Sequence, residues 1–373
     1  MSGRKTDLGI SVYPRPGDDV CRKEIEDYIS QAARLGYRKV FSSLHLPEDD
    51  IDALAGNVLW LSEVVHGSGM ELILDLSSTE LRQLLGRREH VRRLKAAKAA
   101  YLRLDYGFTE LDIRRVTGDL GIQGFVLNAS VLTGEEIGEM VDCIRAHAGS
   151  SAAIEACHNF YPRPETGLAI EFMIEKSNLY KPLGIPVAAC IASHHRPRGP
   201  LREGLPTVEE HRRLDPGRAA AELIATGVID QVFFGDPFAS RAELEAVRGV
   251  AESPALRLRI RLDPECSEQE RRIALGRVHR ARPDQSAYLI RSQSSREMAS
   301  PGEKVRPRPA RRREAYCATI DNELYLRYSG ELHIVLRDLP ADERVNVIGR
   351  IVPGDTGLVR YVLPGSEFIL EEA

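Results

Sequence analysis

Between Glu155 and Leu168 the chain reads E-A-C-H-N-F-Y-P-R-P-E-T-G-L, which brings His158, Asn159, Tyr161, Arg163 and Glu165 close together. The run leaves an apolar stretch with the pattern of a buried strand. A segment that only joins a strand to a helix has no need of so many polar side chains. Pro162 and Pro164 each fix φ near about −65° and stiffen the turn that carries them. Carboxylate, imidazole, amide, phenol and guanidinium in one rigid loop can exchange protons, orient a polar substrate and grip an anion.

Acids recur in comparable places. Asp75, Asp105 and Asp236 end apolar runs, Glu165 lies in the stiff loop, and Glu203 follows in R-G-P-L-R-E-G-L-P. Paired carboxylates are what glycoside hydrolysis needs, one to protonate the leaving oxygen and one to attack or stabilise the oxocarbenium-like centre. Any single strand-end Asp reads as well as a helix cap or an ion-pair partner. Taken as a set they make Asp105 and Glu165 the catalytic candidates, with Asp236 in reserve. Arg163, Arg196, Arg198 and Arg202 occupy two neighbouring loops and suit a phosphate or carboxylate, unless they only neutralise nearby acids. Ser11, Tyr13, Asp75, Asn128, His158, Asn159, Tyr161, Arg163, His194, Arg196 and Arg198 are the substrate-binding candidates. His158, His194 and His195 form no H-x-x-x-H or H-x-H pair, so neither metal nor cofactor is expected. Cys157 and Cys190 read as core residues.

The elements that must position these groups repeat along the first two-thirds of the chain. Short apolar runs stand at Leu8–Val12, Val40–Phe41, Leu72–Leu76, Leu102–Leu104, Phe125–Leu127, Ala152–Cys157, Val187–Ala192 and Val232–Phe234. Each ends in polar residues such as Tyr13, Ser42, Ser43 and His45, Asp105 and Tyr106, or Asn128. Helical signals follow: Asp19 to Leu35, Pro47 to Leu61, the capping-box spacing at Thr133 and Ser240, and Asp215-Pro-Gly-Arg through Ala225. Near-continuous apolar runs fit parallel strands buried on both faces. Eight β-then-α units in roughly 245 residues predict a TIM barrel, whose usual length is about 250. The polar residues then share the rim where active sites of that fold lie.

From about Ser253 the pattern changes to alternation, as in L-R-L-R-I-R-L at 256–262, with further candidate strands at Glu323–Tyr328, Glu331–Arg337 and Val345–Val352 and a helix near Glu268–Gly276. This predicts a compact antiparallel β domain over 253–373, after a barrel over 1–252. Between Arg291 and Arg313, eight basic residues against two acidic ones and three prolines read as a long, cationic, poorly structured loop. A net charge of −4 and a pI near 6.2 argue against a nucleic-acid partner. Cys21, Cys143, Cys157, Cys190, Cys266 and Cys317 contain no C-x-x-C, as expected of reduced thiols. The chain shows neither a signal-peptide core nor an apolar run long enough to span a membrane, so the expectation is cytoplasmic.

Five stretches carry a family likeness: Gly9–Tyr13, Leu102–Phe108, His158–Leu168, Arg198–Thr207 and Thr319–Ile334. Together they resemble the bacterial 6-phospho-N-acetylmuramidases, a glycoside hydrolase family once filed under unknown function or as an outer surface protein. The resemblance implies an α/β protein, a TIM barrel followed by a cyclophilin-like antiparallel β-barrel domain. It also implies cytosolic hydrolysis of a phosphorylated amino-sugar disaccharide, MurNAc-6-phosphate–GlcNAc, in cell-wall recycling. The Arg/Pro-rich 291–313 segment departs from the pattern by its expansion. Such a substrate carries a phosphate and a lactyl carboxylate, for which Arg163, Arg196, Arg198 and the cationic segment are candidates. An N-acetyl substrate can also supply its own nucleophile, with Asp105 then orienting the acetamide; retaining, inverting and substrate-assisted routes all stay open. Two other classes fit the residues: a barrel metallohydrolase or sugar-phosphate isomerase using the histidines, and a non-catalytic sugar-phosphate sensor.

Overall fold

Alternation decides where each strand residue goes. Leu102 and Leu104 belong to the large core between strands and helices, with Ile10, Val40, Leu72, Leu74, Phe125, Leu127, Ile191 and Phe234. The intervening positions form a second, smaller cluster of Phe41, Ile73, Val126, Cys157, Ala188, Cys190 and Phe233. Side chains with a period of two, buried on both sides, fit a parallel sheet covered on both faces, here one closed on itself. A computed structural model describes residues 6–14, 22–43, 51–105, 107–253, 255–298 and 304–373. His45, Tyr106, Cys21 and the helix starts expected at Asp19 and Pro47 lie outside them.

The closed barrel is parallel throughout and runs β1 (Asp7–Ser11), β2 (Lys39–Ser43), β3 (Glu71–Asp75), β4 (Tyr101–Leu104), β5 (Gly124–Asn128), β6 (Ala153–Cys157), β7 (Val187–Ile191) and β8 (Gln231–Phe234). β8 pairs back on β1, with Leu8 opposite Val232. The capping box expected at Thr133 opens the helix Gly134–Ala148, and Asp215 caps Pro216–Ala225. Helices Ser78–Leu85, Arg88–Ala97, Glu110–Arg115 and Ile170–Asn178 complete most of the outer layer. The first of these has its own capping box, Ser77 with Glu80, which sequence reading passed over.

The lower end of the barrel is filled by charge. Lys39 Nζ lies 2.5 Å from Glu155 Oε1, both side chains nearly sealed from solvent, and the ammonium sits 4.7 Å from the centroid of the Tyr101 ring. Two residues further along the same strands, Phe41 and Cys157 face the cavity described below.

The chain divides into two compact units, Met1–Glu252 and Ser253–Ala373. The second is a curled seven-stranded sheet of order β10-β15-β9-β14-β12-β13-β11. Its strands are β9 (Leu256–Leu262), β10 (Val278–Arg280), β11 (Leu289–Arg291), β12 (Cys317–Asp321), β13 (Leu332–Val335), β14 (Val345–Ile351) and β15 (Glu367–Glu372). The antiparallel expectation needs one correction: five of its six pairings are antiparallel, while β15 runs parallel to β9. A second correction concerns Glu323–Tyr328, which forms 3-10 turns and no strand. None of its residues is buried, and Asn322 accepts from the Leu324 N–H, so the Leu/Tyr alternation has no face to pack on and an Asx turn takes over. The cationic segment is irregular over 304–313, yet it is pinned. Arg308 and Arg311 pair with Asp263, Glu265 and Glu270, Arg312 with Asp338, and Arg291, in β11, with Glu331. Those arginines neutralise acids of their own unit. No described helix is long and apolar enough to cross a membrane.

Candidate active site

At the C-terminal ends of the barrel strands opens a cavity of about 330 Å³, lined by Phe41, Ser43, Asp75, Arg103, Asp105, Cys157, His158, Asn159, Phe160, Tyr161, Cys190, Arg198 and Phe233. Its centre is Arg103, which the strand alternation turns inward between Leu102 and Leu104. Arg103 NH1 lies 3.1 Å from Asp75 Oδ1 and 3.5 Å from Asp105 Oδ2, and NH2 donates to Asn159 Oδ1 at 2.5 Å. Burial works against its charge, but the two carboxylates more than offset that and push its pKa up. Asp75 is buried, whereas the Asp105 side chain is 39% exposed and open to a ligand. Asn128 Nδ2 donates to Asp105 Oδ1 at 2.6 Å.

Arg198 is the second cation. Its guanidinium lies 4.0 Å from the centroid of the Tyr13 ring, and the Tyr13 hydroxyl donates to Gly235 O at 2.6 Å. Asp236 fixes the Arg198 loop: its fully buried carboxylate accepts from the backbone N–H of Arg198 (2.8 Å), Ser193 (2.9 Å) and Leu205 (3.0 Å). Burial raises the Asp236 pKa, and those three donors oppose the rise. Gly235 lets the loop close, since a Cβ there would stand 2.2 Å from Leu205 O.

The structure gathers Asp75, Asp105, His158, Asn159, Tyr161 and Arg198 at the cavity, with Asn128 bonded to Asp105 and Tyr13 beneath Arg198. Ser11 is buried at the end of β1. Five other candidates stand outside the cavity lining. Asp236 is fully buried and spends its carboxylate on backbone N–H groups. Glu165 and Arg163 are exposed and outside the cavity wall. Arg196 points elsewhere, over the Phe238 ring at 4.5 Å and 3.7 Å from Glu24. His194 is exposed, with its N–H on Glu243. His158 lines the wall, but its ring nitrogens bond Ser130 and Ser177, so the histidines do not converge. Among the described residues no cluster of three or more His, Cys, Asp or Glu could hold a metal ion.

Sequence reading missed Arg103, although one charge between two leucines of a strand is the signal of an inward-facing polar group. It also missed Glu209 and Arg212, which staple the stiff loop. Glu209 Oε1 accepts from Glu165 N at 2.9 Å and Oε2 from Gly167 N at 2.7 Å, while Arg212 grips both oxygens and the Arg163 carbonyl. A Cβ at Gly167 would come within 2.8 Å of the Glu209 backbone, which explains the glycine. Arg212 holds the Glu209 carboxyl down to about 2, below the usual range. A depressed folded-state value means the staple is complete above about pH 4.5 and is lost as pH falls toward 2. Hydrogen-exchange protection of the Glu165 and Gly167 amides is expected to follow that curve and to be lost at one of the two in Glu209→Gln, whose side chain keeps a single acceptor oxygen. Protection unchanged in the variant would remove Glu209 from this role.

A closed parallel barrel with paired carboxylates at its strand ends has the build of a glycoside hydrolase. A family model described as 6-phospho-N-acetylmuramidase, N-terminal, matches residues 8–249, and the C-terminal model of the same description matches 256–371. The chain belongs to the 6-phospho-N-acetylmuramidase family and is a glycosidase. No curated protein matches it. Among solved structures, an uncharacterized B. cereus protein is similar at 30% identity and a TM-score of 0.81, covering 98% of this chain and 99% of that one. A conserved Enterococcus faecalis protein of unknown function is similar at 30% identity and a TM-score of 0.73, covering 98% and 96%.

Proposed function

We propose that the protein cleaves the β-1,4 bond of MurNAc-6-phosphate–GlcNAc in the cytoplasm, as a step of cell-wall recycling. The observation that carries this reading is the pair Asp75 and Asp105, both on one guanidinium nitrogen of Arg103 in one cavity. Asp105 is the carboxylate a ligand can reach, and it serves as the acid–base group or orients the substrate acetamide. Asp75, buried against Arg103, supplies fixed negative charge beneath a developing oxocarbenium. A cavity of about 330 Å³ lies at the small end for ligand sites and suits one substituted sugar, with the leaving sugar outside.

The substrate anion is assigned to Arg198. Among the described residues its guanidinium makes no ion pair, whereas Arg103 is already matched by two acids. A guanidinium that lines the cavity from over the Tyr13 ring suits bidentate contact with a phosphate or carboxylate. The test is release of free GlcNAc from the 6-phosphorylated disaccharide by the purified protein. No release under conditions where the protein is folded would sink the proposal.

A further inference from the structure

If the cavity is the site of glycoside cleavage, His158 has no direct part in it, because both ring nitrogens are occupied within the protein. We propose that Ser130 and His158 are positioning residues: a one-way hydrogen-bond chain through their side chains anchors the Asn159 backbone, and with it the amide that Asn159 turns toward Arg103. This inference rests on that reading of the cavity.

The direction of the chain is set at its Met173 end, by a backbone carbonyl that has no choice. At one end the Asn159 N–H can only donate, and it donates to Ser130 Oγ at 2.9 Å. At the other end the Met173 carbonyl can only accept, and it accepts from the Ser177 hydroxyl at 2.7 Å. His158 lies between, with Nδ1 3.2 Å from Ser130 Oγ and Nε2 2.9 Å from Ser177 Oγ. Ser177, having given its proton to Met173, must accept from His158 Nε2–H. His158 Nδ1 must then accept from the Ser130 hydroxyl. An imidazolium would present a second N–H to Ser130 and leave the Ser130 proton without an acceptor. Burial acts in the same direction and lowers the His158 pKa to about 3.

Asn128 is held independently: the Ser130 backbone N–H donates to Asn128 Oδ1 at 3.0 Å, which obliges Asn128 to offer its Nδ2 to Asp105, and that bond does not need the serine hydroxyl. Asn159, held by its own N–H on Ser130, presents Oδ1 to Arg103. Donors aligned in one direction also polarise one another, so cutting the chain weakens every bond in it.

The experiment compares full-length variants on the 6-phosphorylated disaccharide, with Asp105→Asn as the reference for the cavity itself. Ser130→Ala and His158→Leu are expected to lower kcat by roughly 10–100-fold with KM changed less than about 3-fold, as misplacement of a catalytic group does. His158→Asn, whose amide oxygen can still accept near the old Nδ1 position, is expected to recover most of the loss. In histidine-labelled wild type, ¹⁵N shifts should show His158 neutral and protonated on Nε2 down to about pH 5. Wild-type kcat in folded Ser130→Ala and His158→Leu, with Asp105→Asn inactive, would overturn the positioning role and leave the cavity reading intact. An active Asp105→Asn would overturn both. If His158→Leu does not fold, Ser130→Ala and the ¹⁵N spectrum still decide, since an Nδ1–H tautomer or titration near about 6.5 contradicts the chain.

Discussion

Asp105→Asn is expected to lower kcat by at least about 10²-fold while leaving the fold intact, because proton transfer by a positioned group is typically worth about 10²–10⁴-fold. The substitution is isosteric, and Asp105 carries no strand or helix geometry. What it removes is the charge that Asn128 and Arg103 hold in place at the reachable edge of the cavity. Asp75→Asn should also cost turnover, but it leaves a buried guanidinium without one of its two acids, so its effect mixes catalysis with stability. Glu165→Gln is the informative contrast. Its loop position makes it an equal candidate in the sequence, yet its carboxylate stands outside the cavity wall, and turnover within about threefold of wild type is expected. Measuring kcat for the three variants beside thermal unfolding separates these outcomes. Near-normal turnover in Asp105→Asn would remove it from catalysis.

The phosphate on the substrate is expected to raise kcat/KM by about 10²-fold over the unphosphorylated disaccharide, with Arg198 as the cause. Truncating one partner of a hydrogen-bonded charge pair costs about 2–5 kcal/mol where the pair is desolvated, and Arg198 is only partly so. Arg198→Ala should therefore slow the phosphorylated reaction and leave the other nearly untouched, closing most of the gap. Arg163→Ala and Arg196→Ala should leave the gap as it is, since neither guanidinium lines the cavity. Equal kcat/KM for both disaccharides on the wild type would mean that Arg198 serves the lactyl carboxylate or the loop alone.

How much of this was legible in the sequence follows from how local each determinant is. The eight barrel strands announce themselves because each is buried on both faces and needs an almost unbroken apolar run. β10 and β11 are three residues each and make no run long enough to register. The strand ends located Asp75, Asp105, Asn128 and Asn159, since a strand exit is a property of a few neighbouring residues. Choosing among Arg163, Arg196 and Arg198 was beyond local pattern. Arg198 reaches the cavity because Asp236, distant in sequence, takes its N–H, and Arg196 turns away because Phe238 offers a ring. His158 looked like a substrate-binding group for the same reason: Ser130 and Ser177, which use both its nitrogens, come from separate elements.

The Lys39–Glu155 pair beneath Phe41 and Cys157 has a bearing on traffic. A barrel stoppered at its lower end is a vessel with a single mouth, so whatever enters must leave the way it came. The fragment lodged deepest is then the last to depart. On the proposed reading, the sugar at Arg103 and Arg198 would therefore compete with the next substrate for longer than the sugar left at the rim.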